Sequence, residues 1–200
     1  MLESQIVFFW KYFLNQLEKK KIKSPIILVS SVKLLRLQMK KLKIRKNINI
    51  LNPNEIDRYN LSNKSVNLIN VDYKVLKAFE KISNKSNKFI EESFKIAFEL
   101  LKNKKINKFI NGPISKKSFL KNKFLGITEY ISEKFLSENT CMLIFNKKLS
   151  VCPITTHLPL KLVAKKITKQ VILKKVSLIN NFYEKRFKFK PRIAILGLNP

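Results

Sequence analysis

Apolar residues recur along this chain in two alternating rhythms, one with the period of a helix and one with the compact runs of buried strands. Between residues 4 and 20, Ile6, Val7, Trp10, Leu14 and Leu17 fall three and four apart, which is the stripe of an amphipathic helix. Residues 26–29 form a fully apolar run after Pro25, as a parallel strand covered on both faces requires. Ser30 and Ser31 then offer caps for a helix carrying Leu34, Leu35, Gln38, Met39 and Leu42. Residues 48–51 predict a second strand closed by Asn52-Pro53-Asn54, and the polar, turn-rich residues 54–65 predict a loop. Residues 68–71, interrupted by Asn70, predict a weak third strand. Ser86 can cap a long helix whose inner face carries Ile90, Phe94, Ala97, Phe98 and Leu101.

From residue 106 the texture changes, because Gly and Pro now punctuate short polar motifs. Phe109-Ile110-Asn111 predicts a strand end running into Gly112-Pro113-Ile114-Ser115-Lys116, with Ser115 as the next cap. Gly126-Ile127-Thr128-Glu129 is a second junction of loop and helix. Residues 141–145 and 149–154 predict two strands around the turn Asn146-Lys147-Lys148, leading into Thr155-Thr156-His157-Leu158-Pro159-Leu160. Thr168 caps a predicted helix through about Phe187, and residues 192–196 predict a last strand ending in Gly197-Leu198-Asn199-Pro200. Strands and helices alternate throughout, so the expected class is α/β, with a first lobe over residues 1–106 and a second over residues 107–200.

Composition narrows the functional classes. With 45% apolar residues, the 200-residue chain can bury a core. No apolar run approaches the roughly 18 residues a spanning helix needs, and the acidic start Met1-Leu2-Glu3 is unlike a signal peptide, so a cytoplasmic protein without a membrane partner is expected. The formal charge of +29 would ordinarily suggest an anionic polymer as partner. The excess is mostly Lys scattered through every segment beside Asn and Ile, with Arg only at positions 36, 45, 58, 186 and 192, and this pattern suits solvated positions in an AT-rich coding sequence. No specific nucleic acid is therefore expected. Cys141 and Cys152, on the two arms of the expected hairpin, are too few for a disulfide framework and are read as free thiols.

Four residues at three places could carry chemistry. His157, the chain's only histidine, stands just past an apolar strand, where α/β proteins place their sites; it is read either as a metal ligand or as a packed or solvated side chain. Lys116 follows a Gly-Pro turn at a helix start, which suits either a phosphate contact or a plain solvated lysine. Thr128 and Glu129 open a helix, where a cap and a favourable first-turn charge are the simplest roles.

In order and spacing, Asn111–Lys116, Gly126–Glu129, Thr155–Leu160 and the closing Pro191-Arg192-Ile193-Ala194-Ile195-Leu196-Gly197-Leu198-Asn199-Pro200 together resemble the 4-hydroxythreonine-4-phosphate dehydrogenase family. That family carries T-G-P-x-x-K, G-H-T-E, T-T-H-x-P-L and P-R-I-x-x-x-G-L-N-P-H-A-G-E. The resemblance is clear from about residue 86 onward and general before it. It implies a two-lobed fold similar to isocitrate and isopropylmalate dehydrogenases, a homodimer, NAD as cofactor, and a small phosphorylated hydroxy-amino acid as substrate. The implied reaction oxidises a secondary alcohol and then loses carbon dioxide, on the way to pyridoxal phosphate. It also implies a divalent metal of the Zn, Mg or Co class, gripping the hydroxyl and lowering its pKa.

Matched by position, His157 corresponds to the first metal histidine, Thr128 to a substrate-binding residue and Lys116 to the lysine of the Gly-Pro loop. Ile127 replaces the family's histidine in the substrate pocket, which makes a related phosphorylated hydroxy acid, such as a four-carbon sugar-acid phosphate, an alternative substrate. The resemblance further implies a shortened copy, incomplete in its two-lobed fold: the G-D-P-x-G-I-G-P-E loop is missing before Glu3, and the second metal histidine and most of the NAD site are expected beyond Pro200. No catalytic acid or base is assigned. A non-catalytic basic binding protein that kept the fold is the reading from a different class.

Overall fold

The computed structural model describes residues 24–81, 83–120, 123–135 and 140–197; the helix expected over residues 4–20 lies outside them. The chain divides into two compact units, Met1–Lys121 and Asn122–Pro200.

The first unit is a three-stranded parallel sheet of β1 (Ile27–Ser30), β2 (Ile48–Ile50) and β3 (Val66–Asn70), in the order β1-β3-β2. Between β1 and β2 the chain forms helix α1 (Val32–Lys41), whose N-cap Ser31 accepts from the Leu34 amide at 3.3 Å. Helix α2 (Asn87–Lys102) follows β3. The central strand explains the layering. Val66 and Leu68 pack with Leu35 and Met39 of α1, while Ile69 packs with Leu51, Ile56 and Leu100 of α2. Alternation at period two therefore sends successive side chains of β3 into two separate cores.

β3 looks interrupted in sequence because Asn67 and Asn70 break the apolar run, yet it is the best-buried strand, with Leu68 at 0% exposure. The asparagines are accommodated by local bonds. Asn67 Nδ2 donates to the carbonyls of Ile26 (3.2 Å) and Ser62 (2.9 Å), and Asn70 Oδ1 accepts from the Val32 amide at 2.9 Å. The two bonds of Asn67 offset part of the cost of burying its amide, whose Oδ1 has no partner among the described residues, while Asn70 is exposed.

Several expectations need correction. The loop over residues 54–65 contains a 3-10 helix, Pro53–Arg58, capped by Asn52 and anchored by buried Ile56. Ser86 precedes α2 without capping it, because its hydroxyl donates to the Ser83 carbonyl instead. No strand forms at residues 109–111; Phe109 packs its ring against Phe94 and Phe98 of α2.

The second unit holds α4 (Ile127–Lys134), α5 (Leu160–Lys166) and α6 (Lys169–Phe187), after the one-turn helix α3 (Lys116–Phe119) has closed the first. Thr168 caps α6 as expected, accepting from the Val171 amide at 3.3 Å. The predicted hairpin reduces to a single antiparallel bridge, Ile144 with Val151, whose two bonds measure 2.8 and 3.0 Å. Its turn is well made, with Asn146 Oδ1 accepting from the Lys148 amide at 2.9 Å. Pro153 brings no N–H with which to continue a ladder. Residues 192–196 are exposed and form no strand, because no strand among the described residues supplies partners. Among the described residues no helix is long and apolar enough to cross a membrane.

Candidate functional site

In the second unit, the extended backbone of Gly126 (φ −159°, ψ 176°) leads into α4 as its N-cap. Thr128 is thus the second residue of the helix and not its cap, since the chain turns helical one residue earlier, at Ile127. Both Ile127 and Thr128 are half-buried. Glu129 occupies the third position, where a carboxylate gains from the helix dipole. One of its oxygens, Oε1, accepts from the Thr156 hydroxyl at 3.3 Å across 27 positions of sequence. Its other oxygen, Oε2, is buried and has no hydrogen-bond partner among the described residues.

His157 follows Thr156 with φ 53°, in the left-handed region that a non-glycine residue enters at a cost of about 1–2 kcal/mol. Pro159 then acts as N-cap of α5. The imidazole stands beside the start of α4: a Cβ placed on Gly126 would lie 3.4 Å from His157 Nε2 and 2.7 Å from Glu129 Oε2. Only a residue without a side chain leaves that space open. Two of the sequence motifs, Gly126–Glu129 and Thr155–Leu160, are therefore joined in space.

Glu129 is the residue that sequence reasoning undervalued, treating it as a helix-start charge. The available signal was its place at the third helical position after a glycine, the location from which a carboxylate reaches back over a helix start.

Lys116 belongs to the first unit. Ser115 caps α3 as expected, accepting from the Ser118 amide at 3.4 Å, and Lys116 is the exposed first residue of that single turn. The turn is tied to α2, because Asn87 Nδ2 donates to the Ser118 carbonyl at 2.8 Å and Phe119 stacks on Phe94 at 5.7 Å. The Gly-Pro loop is thus held by α2 and leaves its lysine to solvent.

Residues 21–200 match the family described as pyridoxal phosphate biosynthetic protein PdxA. A 4-hydroxythreonine-4-phosphate dehydrogenase of Sulfurihydrogenibium sp. is 38% identical over 138 residues, covering 68% of this chain and 42% of that protein. The Bacteroides thetaiotaomicron protein of the same name is 30% identical over 182 residues, covering 88% of this chain and 49% of its own length. Among solved structures, a 4-hydroxythreonine-4-phosphate dehydrogenase from Burkholderia phymatum has a similar fold, with a TM-score of 0.67 at 18% identity over 80% of this chain and 48% of that one. The chain spans less than half the length of each of these three proteins.

Proposed function

The chain belongs to the family of the pyridoxal phosphate biosynthetic protein PdxA, and from that premise we propose that it forms part of an NAD-dependent 4-hydroxythreonine-4-phosphate dehydrogenase. The reaction is oxidation of a secondary alcohol followed by decarboxylation, within an isocitrate dehydrogenase-like, two-lobed homodimer in the cytoplasm. In this reading NAD would supply the hydride acceptor and a divalent cation held in part by His157 would supply a Lewis acid. In this reading the first lobe spans residues 1–106 and the second residues 107–200. His157 is a metal ligand, while Thr128 and Lys116 face the phosphorylated substrate.

What supports the reading is the meeting of His157 with the Gly126–Glu129 helix start, since both segments carry family motifs and nothing in their sequence separation requires contact. A catalytic divalent site takes about three protein ligands with one position open. Among the described residues no group of three His, Cys, Asp or Glu could hold an ion. In this reading His157 supplies one corner of such a site.

The test is a chimaera in which the corresponding flanking segments of the Sulfurihydrogenibium protein are joined before Leu2 and after Pro200. With divalent metal and 4-hydroxythreonine 4-phosphate it should reduce NAD, and His157→Ala should abolish that activity. A chimaera indifferent to His157→Ala overturns the assignment.

Ile127 favours a second reading, a relative acting on another phosphorylated hydroxy acid, because an apolar side chain cannot replace the hydrogen bond of the family's histidine. In the same chimaera Ile127→His should raise kcat/KM for 4-hydroxythreonine 4-phosphate if that is the ancestral substrate. No gain, together with turnover of a four-carbon sugar-acid phosphate, would favour the alternative.

A further inference from the structure

We propose that Glu129 is the positioning residue of His157, with the Thr156 hydroxyl fixing one carboxylate oxygen so that the other faces the imidazole. The proposal deepens the functional reading and rests on it only for what His157 does in the reaction. The geometry of the pair stands apart from any cofactor.

Three observations carry it. First, Glu129 Oε2 is buried and has no hydrogen-bond partner among the described residues, although an unpaired buried acceptor costs about 1–3 kcal/mol. A native fold keeps such an atom where a donor can reach it. Second, the ring edge formed by His157 Nε2 and Cδ2 faces the same small space as Oε2, standing 3.4 and 3.7 Å from the point where a Cβ on Gly126 would sit, against 2.7 Å for the carboxylate oxygen. Among the described residues, Gly126 and its two chain neighbours apart, no other donor group comes as near to that point. Third, His157 has φ 53°, a backbone state that persists when its surroundings hold it, and the adjacent Thr156 is tied to Glu129 at 3.3 Å.

A ring turned so that Nε2–H donates to Oε2 would leave Nδ1 as the free lone-pair nitrogen. Histidines that bind metals or move protons characteristically have their second nitrogen fixed in this way by a carboxylate. Gly126 is the other half of the device. Its backbone is extended, so no dihedral demands glycine; the need is for space, because any Cβ would press on Oε2.

Because the chain contains one histidine, its ring signals in NMR are unambiguous. The experiment measures 13C relaxation of the His157 ring carbons in the full chain at fixed pH without metal, NAD or substrate. In the parent chain the ring should be as ordered as the backbone, with an order parameter of about 0.85, and in Glu129→Ala it should fall below about 0.6. Glu129→Gln retains an acceptor oxygen and should retain the order. Gly126→Ala displaces only the far end of a flexible side chain, so the fold survives, and the ring should loosen as in Glu129→Ala.

A ring already mobile in the parent, or one whose order survives both Glu129→Ala and Gly126→Ala, overturns the proposal. If Glu129→Ala fails to fold, Gly126→Ala decides alone. An inactive chimaera leaves this result untouched, and a loose ring leaves the family's chemistry untouched, so the two failures are distinguishable.

Discussion

In the first unit each strand has a partner and both faces of the sheet carry a buried core, although Leu76 and Ile110 outside the sheet are exposed, whereas among the described residues of the second almost no apolar side chain is buried. Among the described residues, all the fully buried apolar side chains except Tyr130 belong to the first unit. The second exposes Leu160 at 85%, Leu149 at 74% and Leu173 at 56%. Its clearest apolar cluster is aromatic, with Phe145 stacked on Phe187 at 5.3 Å and Tyr183 beside both. An amphipathic pattern states which face wants cover; it does not state what covers it. The site residues of the proposed function are unequally placed across this divide, His157 and Thr128 on the loosely buried unit and Lys116 on the well-buried one.

Truncating one leucine in each unit should show the contrast most strongly. Leu68→Ala removes a fully buried side chain from the central strand and should cost about 3 kcal/mol. Leu173→Ala on exposed α6 should stay within about 0.5 kcal/mol. Hydrogen exchange at the β3 amides reports the first directly, as protection lost by more than about a hundredfold. Equal effects of the two substitutions would mean that α6 is covered in solution and that the two units do not differ as described.

A smaller effect comes from the helix ends. In the first unit α1 and α2 close with paired bonds: Lys43 N to Lys40 O with Ile44 N to Met39 O, and Lys104 N to Leu101 O with Lys105 N to Leu100 O, at 2.9–3.2 Å. This is the Schellman arrangement, and its left-handed residue is usually glycine. Here the residues are Lys43 and Lys104, both with φ 55°. In the second unit Lys188 (φ 63°) ends α6 with one bond, from its amide to the Glu184 carbonyl. Lys104→Gly should therefore stabilise the first unit by about 0.5–1 kcal/mol, slowing β3 exchange about twofold to fivefold. Lys188→Gly should slow exchange only within the last turn of α6. A gain that spreads through the second unit would show more cooperativity there than its burial suggests.

Legibility in the sequence follows the same divide. The run at 26–29, the Ser31 cap and the stripe of Leu35 and Met39 mark elements whose partners lie in the same unit, so local pattern and tertiary packing agree. Residues 141–145, 149–154 and 192–196 have strand-like composition, but a strand exists only when another strand bonds to it, and no composition supplies that. The candidate site was legible as motifs and as a position at helix starts. The contact between His157 and Gly126 was not, because it depends on a left-handed backbone at a residue that rarely adopts one, and Glu129 was obscured by its ordinary role in a first turn.

The finest probe of the comparison is Cys152, since its environment reports whether the second unit packs at all around its single bridge. Both cysteines are free and half-buried. Burial is the main influence on Cys152, and it raises the thiol pKa above the ordinary value; repulsion from and hydrogen bonding with Cys141 raise it further, while the Lys175 ammonium lowers it. The thiolate is the nucleophile, so an upward shift means that Cys152 stays protonated, and slow to alkylate, to a higher pH than in the unfolded chain. The midpoint of its iodoacetamide rate against pH, followed by mass spectrometry of the peptide containing Cys152, should lie above that of the urea-unfolded chain. Cys141→Ser should move the midpoint down only part of the way, because burial remains when the charged neighbour is gone. Lys175→Ala should move it up. A parent chain whose Cys152 titrates like the unfolded chain would show that residues 141–154 are solvated in solution, leaving Thr156 and Glu129 as the contact that holds His157 in place.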